Sequence, residues 1–283
     1  MSEGFILCIA NEGLTDFTTV IWRFTEYAIK HKRSLIIDKT RYKEDSLYEV
    51  FDFKNWPVPV YTVDHLCRVE HDTVEPIEFL KYLTYEDKHI TKARYNCWLT
   101  FDTEKEYPNN VLLVHAAGKG PYNKSHHFFR HVGFTPDFIR FLKEKMNELP
   151  PTYNVSHIRH TDYTVNIEET YGYIERLMNS SDLPLYVATD NTSVLKILIK
   201  KYGSRIYCNS SVLGLPDASD EINLHFSGKR FTLHNAVLDL FILAKGANNV
   251  IKQYIESQST PHGYTKLAAE LHSNTGFIDR ILS

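Results

Sequence analysis

The sequence lacks any long uninterrupted run of apolar residues. No segment of the 283 residues approaches the ~20 consecutive apolar residues that a membrane-spanning helix needs. The N-terminus also has neither the cationic region nor the apolar length of a secretory signal peptide. These absences predict a soluble protein without a membrane span, and we expect it to be cytoplasmic.

Cysteine is scarce and the charge is nearly balanced. The 4 cysteines are widely scattered and form no Cys-x-x-Cys pair, which favours a reduced intracellular protein over a disulfide-bonded one. The formal net charge is -3, from 32 basic and 35 acidic residues, so composition gives no reason to expect nucleic acid as a partner. Hydrophobic residues make up 43% of the chain, which is ordinary for a packed protein and excludes extensive disorder.

Short apolar runs alternate with amphipathic stretches, the pattern typical of helices packed on a parallel sheet. The predicted strands are residues 5–10, 34–38, 111–116, 155–158, 185–188 and 205–208. The predicted helices are residues 18–31, 134–149, 167–178, 193–202 and 233–245. The adjacent Pro150 and Pro151 end one helix, because proline lacks the backbone donor and restricts its predecessor. We therefore predict two domains, residues 1–150 and 151–283.

A polar cluster follows the strand predicted at residues 155–158. There the chain reads His157-Ile158-Arg159-His160-Thr161-Asp162, so two imidazoles, a guanidinium and a carboxylate come directly after an apolar strand. In open α/β sheets, ligands bind in the crevice beyond the carboxyl ends of the strands. The planar fork of Arg159 suits a pyrophosphate at that place. A surface ion pair between Arg159 and Asp162 is the simpler alternative.

The strand predicted at residues 185–188 ends in a similar way. It leads into Thr189, Asp190 and Asn191, just before the helix predicted at residues 193–202. Asp190 is suited to accept hydrogen bonds from a ribose hydroxyl or from base N–H groups. Alternatively, Asp190, Asn191 or Thr192 caps the following helix, and the two roles are compatible. Because the two clusters end successive βα units, we expect them to converge on one crevice.

These two segments resemble the donor-binding motifs of the α1,6-fucosyltransferase superfamily. That family includes the core fucosyltransferases of N-glycans and the rhizobial Nod-factor fucosyltransferase. Its motifs are similar to the pattern His-x-Arg-x-Thr-Asp followed by Tyr-x-Ala-Thr-Asp in this chain. Further segments resemble the family in the same order along the chain: Gly13-Leu14-Thr15-Asp16, Lys32-Arg33 with the strand that ends at Asp38, Val237-Leu238-Asp239-Leu240 and Ser257-Gln258-Ser259.

The resemblance implies a GT-B-like α/β fold, with two Rossmann-type lobes facing each other across a cleft. The acceptor-side lobe would be residues 1–150 and the donor-binding lobe residues 151–283. Such enzymes transfer a sugar from a GDP-sugar to a hydroxyl group of a glycan acceptor, with inversion and without a metal. The implied activity is therefore that of a fucosyltransferase-like glycosyltransferase, whose partners are a nucleotide-sugar donor and a glycan, and which needs no cofactor.

The resemblance also implies roles for individual residues. Arg159 would bind the donor phosphates, and Ser257 or Ser259 would approach them. The remaining donor-pocket residues would be His157, His160, Thr189, Asp190 and Asp239, and the acceptor-side loop would contain Gly13, Leu14 and Asp16.

The chain departs from the family at three places. His160 stands where human-type members carry a second arginine, and Thr15 stands where a second glycine is usual. The position of the family's proposed catalytic glutamate is Ile167, with Glu168 adjacent. The candidates for the catalytic base are therefore Asp162, Glu168 and Glu169, and Asp162 is an equally good candidate for orienting Arg159.

Several other interpretations of the sequence remain open. The same fold would also serve another donor, such as UDP-xylose or GDP-rhamnose, or a catalytically silent protein that binds a nucleotide or glycan. Residues 118–125 nearly match a P-loop, but Asn123 replaces the glycine before the lysine and Pro121 withholds a backbone donor. His126, His127 and His131 lack a carboxylate or cysteine at a familiar metal-ligand spacing, so we interpret them as solvated or capping residues on a loop.

Overall fold

The computed structural model describes residues 4–9, 13–38, 47–61, 74–75, 83–86, 89–93, 104–107, 111–115, 124–160, 166–213, 233–247, 254–255, 258–261 and 263–283. The chain divides into two compact units. The first contains Met1–Leu47 and Phe51–Gly133, and the second contains Tyr48–Val50 and Phe134–Ser283.

Most elements of the first unit are strands. They are β1 (Gly4–Ile9), β2 (Arg33–Asp38), β3 (Phe51–Asp52), β4 (Val60–Tyr61), β5 (Val74–Glu75), β6 (Leu83–Glu86), β7 (His89–Ala93) and β8 (Val111–His115). The helices are α1 (Leu14–His31), α2 (Leu47–Val50), at which the chain passes into the second unit, and α3 (Ser125–His131). The chain returns to the second unit through β9 (Gly133–Phe134).

The described part of the first unit contains a parallel sheet with the strand order β4-β2-β1-β8-β5. Strand β1 is central, and its Leu7 is in register with Ile36 of β2 and Leu113 of β8. Ile6 and Cys8 point to one face of the sheet and are completely buried. Leu7 points to the opposite face and is also buried. Both faces of β1 are therefore covered, which explains its uninterrupted apolar sequence.

Helix α1 begins at Leu14, whereas the sequence predicted a start at residue 18. The earlier start extends the buried stripe of the helix, because Leu14 and Phe17 are both buried. The helix ends at His31. The C-cap residue Lys32 adopts a left-handed conformation (φ 52°, ψ 52°) and donates its backbone N–H to the Ala28 carbonyl. Glycine is the usual residue in this conformation, because a Cβ atom is disfavoured there.

The histidine run that we predicted to lie on a loop is helical. His126, His127 and His131 all lie on α3. The ring of His131 stacks on Trp22 of α1 at a centroid distance of 4.4 Å, and the ring of His127 stacks on the same indole at 5.5 Å. Phe128 is completely buried, so packing against α1 stabilises a segment whose polar residues had favoured the loop interpretation.

The second unit alternates strands and helices. Its strands are β10 (Asn154–Ile158), β11 (Leu185–Thr189), β12 (Ile206–Cys208), β13 (Tyr254–Ile255) and β14 (Gln258–Pro261). Its helices are α4 (Pro136–Asn147), α5 (Ile167–Ser180), α6 (Thr192–Tyr202), α7 (Ser210–Leu213), α8 (Leu233–Lys245), α9 (Gly263–His272) and α10 (Thr275–Leu282). Helix α4 belongs to this unit, although the predicted boundary at Pro150 would assign it to the first lobe. That boundary, as a division between acceptor and donor functions, stays a prediction.

In the described part of the second unit, β10, β11 and β12 form a parallel sheet in that order. One face packs against α5 and α6 through an apolar cluster made of Ile158, Ile174, Met178, Leu185, Val187, Val194, Leu195, Leu198 and Val212. The opposite face packs against α8, where the Tyr153 hydroxyl donates to the Ile242 carbonyl at 3.2 Å. Because α8 is buried on nearly all sides from Val237 to Ala244, its sequence is almost continuously apolar.

None of the helices in the described ranges combines the length and the apolarity that crossing a membrane requires.

Candidate functional site

The parallel register of the second sheet brings the two polar strand ends together. Ile158, the last residue of β10, is paired with Thr189, the last residue of β11. Arg159 and His160 therefore leave the sheet beside Asp190 and the residue that follows it. This edge is the carboxyl edge of a parallel sheet, where α/β proteins bind their ligands.

Asp190 binds the neighbouring strand end with both carboxylate oxygens. Its Oδ1 atom accepts the backbone N–H of His160 at 2.9 Å, and its Oδ2 atom lies 3.9 Å from Arg159 Nε. The exposed fraction is 13% for the Arg159 side chain and 9% for that of Asp190. The two charges are thus mostly withdrawn from water, where their interaction is screened less than that of an ion pair on the surface.

Asn191 supplies the helix cap that the sequence left open between three residues. Its Oδ1 atom accepts the backbone N–H of Val194 at 3.1 Å and so caps α6. Its Nδ2 atom donates to the His160 carbonyl at 2.8 Å. The backbone N–H of Asn191 in turn donates to the Thr189 hydroxyl at 3.1 Å. Consecutive side chains of one turn therefore bind both the N–H and the C=O of His160.

The His160 side chain is half-buried at this edge. Its Nδ1 atom is inaccessible to solvent and has no hydrogen-bond partner among the residues that the structure describes. A buried ring nitrogen normally bonds to protein or to an ordered molecule, because an unmade hydrogen bond costs about 1–3 kcal/mol. Arg159 and His160 together offer a guanidinium and an imidazole at one strand end, and both groups are suited to an anionic oxygen ligand.

His157 points to the other face of the sheet, toward α9. Its Nδ1 atom lies 2.8 Å from the Thr265 hydroxyl, and its ring lies 5.0 Å from that of Tyr264. The side chain is buried. The predicted contact of His157 with a donor stays a prediction, and the structure adds Thr265 and Tyr264 as its neighbours.

Asp239 lies on α8 in a buried polar network on this same face. Its Oδ1 atom accepts the Tyr186 hydroxyl at 2.6 Å and lies 3.4 Å from Asn209 Nδ2. Burial raises the pKa of Asp239 to about 7, although the two hydrogen bonds lower it in part. Burial also raises the pKa of the Tyr186 hydroxyl well above its usual range, with Asp239 adding to the effect. Among the donor-pocket candidates whose side chains the structure describes, Asp239 is therefore the one that is most strongly withdrawn from water.

The remaining predicted residues lie in other elements or outside the described residues. Asp162 and Ser257 lie outside the described residues, and of Ser259 only the backbone, in β14, is described. Glu168 is exposed in the first turn of α5. The acceptor-side candidates lie in the first unit at the start of α1, where Gly13 is the N-cap, Leu14 is buried and Asp16 is half-buried. No group of three or more metal-ligating side chains occurs within the described ranges.

Sequence reasoning missed four residues of these networks: Asn191 as a ligand of His160, and Tyr186, Asn209 and Thr265 as partners of the predicted site residues. Tyr186 carried a usable signal, because a tyrosine inside an apolar strand needs a partner for its hydroxyl. Thr265 carried none, since its contact with His157 joins residues 108 positions apart in the sequence.

No protein-family model matches the chain, and no curated protein matches it either. Solved structures do resemble it. The fucosyltransferase NodZ from Bradyrhizobium has a TM-score of 0.61 at 16% identity, over 95% of this chain and 92% of its own. NodZ α-1,6-fucosyltransferase co-crystallised with GDP gives 0.61 at 16% identity, covering 96% and 93%. POFUT1 in complex with GDP gives 0.54 at 12% identity, covering 96% and 95%.

These similarities extend over nearly the whole chain. The GT-B-like α/β fold class that the resemblance implied is therefore confirmed. At identities of 12–16% the likeness concerns the fold, and function has to be argued from the site itself.

Proposed function

We propose that the chain is a metal-independent, inverting glycosyltransferase that moves a fucose-like sugar from a GDP-sugar to a hydroxyl group of a glycan. The observation that carries the proposal is the arrangement of Arg159 against Asp190 at the carboxyl edge of the second sheet. The fold supports it, since the NodZ structures that this chain resembles include one co-crystallised with GDP and one soaked with GDP-fucose.

In this proposal Arg159 binds the donor diphosphate. Its guanidinium presents parallel N–H groups that match two phosphate oxygens, and each charge-assisted hydrogen bond strengthens as the leaving group gains negative charge. Asp190 Oδ2 lies 3.9 Å from Arg159 Nε. Because the Asp190 side chain is itself nearly buried, it helps to fix the orientation of the guanidinium. A preorganised cation of this kind takes the part that a metal ion plays in other transferases.

Inversion requires a base that takes the proton from the attacking hydroxyl group, on the side of the sugar opposite to the departing GDP. The transition state is oxocarbenium-like, as in glycoside hydrolysis, so the nucleophile gains from losing its proton as it attacks. We propose Asp162 or Glu168 for this role. Glu168 is exposed in the first turn of α5, and so remains accessible to an acceptor.

The base and ribose of the donor would be bound by the polar residues around the second sheet. A carboxylate has about four lone-pair directions, and Tyr186 and Asn209 use Oδ1 of Asp239. When the carboxyl group is ionised, its other oxygen is suited to accept an N–H group of the base, and guanine presents two such groups on one edge. Thr189, Asp190, His157 and His160 complete the proposed donor pocket, with Ser257 or Ser259 near the phosphates.

A binding screen tests the proposal. GDP-fucose, GDP-rhamnose, GDP-mannose, UDP-xylose and UDP-galactose are titrated separately into the protein by calorimetry, with and without EDTA. We expect the GDP-sugars to bind, with GDP-fucose the tightest, and the affinity to be the same in EDTA. A failure of every donor to bind, or binding that EDTA abolishes, contradicts the proposal. Tighter binding of a UDP-sugar would contradict the choice of nucleotide.

A catalytically silent binding protein is the second candidate, and Ile167 favours it, because the family's catalytic glutamate would stand there. The two candidates differ in one measurable property. A silent protein would bind the donor without ever releasing GDP from it, whereas an enzyme would release GDP.

A further inference from the structure

We infer that Asn191 is a positioning residue for the donor diphosphate, acting on Arg159 through the peptide groups of His160. This inference rests on the proposed function. It concerns the donor half of the Asn191 side chain, the Nδ2 amide that binds the His160 carbonyl at 2.8 Å, and not the acceptor half that caps α6.

The geometry leaves His160 little freedom. Asp190 Oδ1 accepts the His160 N–H at 2.9 Å, and Asn191 Nδ2 donates to the His160 C=O. Two adjacent residues of the β11–α6 turn therefore bind both backbone polar groups of His160, which follows β10. Asn191 is buried, with 6% of the residue exposed. Its backbone N–H donates to the Thr189 hydroxyl. Arg159 is the preceding residue, so these bonds set the direction in which its side chain leaves the strand.

The side-chain chemistry explains why an asparagine stands at position 191. A terminal amide is both an acceptor and a donor, so it can cap α6 and bind a carbonyl at the same time. Serine is an equally good helix cap, but its hydroxyl group is too short to reach the His160 carbonyl from the same backbone. Asn191→Ser therefore separates the two halves of the role, because it keeps the cap and removes the bond to His160.

The chain contains a matched control. Asn166 caps α5 with the same geometry, since its Oδ1 atom accepts the Glu169 N–H at 3.1 Å, and it is exposed. It lies in the same β10–α5 connection that Arg159 begins. Asn166→Ser thus makes the same substitution at another helix-capping asparagine. It leaves the β11–α6 turn, where Asn191 lies, unchanged.

The experiment compares GDP with guanosine. Calorimetric titration should show that Asn191→Ser weakens GDP binding by about tenfold, which corresponds to ~1.4 kcal/mol, while Asn166→Ser changes it by less than about twofold. Guanosine lacks the phosphates, so its affinity should be the same in all three proteins. Loss of fold in Asn191→Ser would instead weaken GDP and guanosine together.

A double-substitution cycle tests whether Asn191 acts through Arg159. In the Arg159→Ala background, Asn191→Ser should have no further effect on GDP affinity, because coupled residues are not additive. Additive losses would overturn the inference, and so would an Asn191→Ser protein that binds GDP like the wild type. If Asn191→Ser does not fold, Asn191→Thr keeps a neutral hydroxyl cap, removes the amide donor and is measured in its place against the same outcomes.

The outcomes for the two proposals are distinguishable. If wild-type protein binds no GDP, the proposed function fails and the inference fails with it. If the wild type binds GDP and Arg159→Ala binds it more weakly, while Asn191→Ser remains unimpaired, then only the inference is wrong.

Discussion

The Asp239 carboxyl group is 3% exposed and accepts hydrogen bonds from Tyr186 and Asn209. Both the protonated and the ionised form of the carboxyl group can accept these hydrogen bonds. Burial favours the protonated form, because it raises the pKa from 3.8 to about 7. A carboxyl group that titrates near neutral pH in the folded protein links the stability of the second unit to pH.

The sign of that linkage follows from the two pKa values. Below pH 3.8 both the folded and the unfolded carboxyl groups hold their proton, so the shift contributes nothing. Between 3.8 and about 7 the unfolded carboxyl group is ionised while the folded one still binds its proton, so stability falls as the pH rises. The total loss is on the order of 4 kcal/mol.

We therefore predict that Asp239→Asn becomes more stable relative to the wild type as the pH rises from 4 to 8. The amide keeps an acceptor for the Tyr186 hydroxyl and has no proton to lose. Urea unfolding at each pH measures the difference in the free energy of unfolding. The exposed Asp182→Asn is measured in the same way as the control. A constant difference for Asp239→Asn would show that burial does not hold the proton.

At the scale of the element, α8 is fixed to β10 by a close approach at its end. Gly246 follows the helix, and a Cβ atom at this position would overlap both methyl groups of Val155. In α5, by contrast, a Cβ atom at Gly172 would meet no neighbour nearer than the Arg176 Nη1 atom at 3.7 Å. Close packing against Val155 therefore requires a glycine at position 246, whereas no neighbour excludes a larger side chain at position 172.

Alanine substitution should separate these reasons. Gly246→Ala forces β10 and α8 apart and should lower the free energy of unfolding by about 1–3 kcal/mol. Gly172→Ala should raise it by about 0.5–1 kcal/mol, because alanine restricts the unfolded chain and favours the helix. Denaturant unfolding of the two proteins provides the comparison. Equal effects of the two substitutions would contradict the packing of α8 on β10.

The apolar periodicity predicted the elements that are long and amphipathic, and their ends were less well defined. Helix α8 has the predicted bounds because an almost unbroken apolar run stops at Lys245. Helix α1 begins before its predicted start, because Leu14 and Phe17 extend the buried face into a segment whose polar residues resemble a loop. Helix α3 was missed because Trp22, far away in the sequence, stabilises it through stacking.

The part of the candidate site that lies at the ends of strands could be predicted from the sequence. Arg159 and Asp190 follow apolar strands, and parallel pairing of those strands was enough to predict that they meet. The assignment of the helix cap to Asn191, and its bond to His160, depend on the register between strands and on side-chain rotamers. Local periodicity encodes neither the register nor the rotamers, so the sequence did not predict these contacts.

At the scale of the whole molecule, the two motifs and the fold support the same account. The motifs suggested a fucosyltransferase-like α/β fold, and solved fucosyltransferase structures cover 95% or more of this chain although only 12–16% of the aligned residues are identical. Such divergence preserves the order of strands and helices better than the side chains.

The release of GDP from GDP-fucose tests the central claim, that Arg159 stabilises the departing diphosphate, most directly. Wild-type protein, Arg159→Ala and Arg140→Ala are compared at saturating donor, where Arg140 is an exposed arginine of α4 in the same unit. We predict that Arg159→Ala lowers the rate of release by about 100-fold or more and that Arg140→Ala leaves it unchanged. Release by Arg159→Ala at the wild-type rate, or no release by the wild type, would contradict the account.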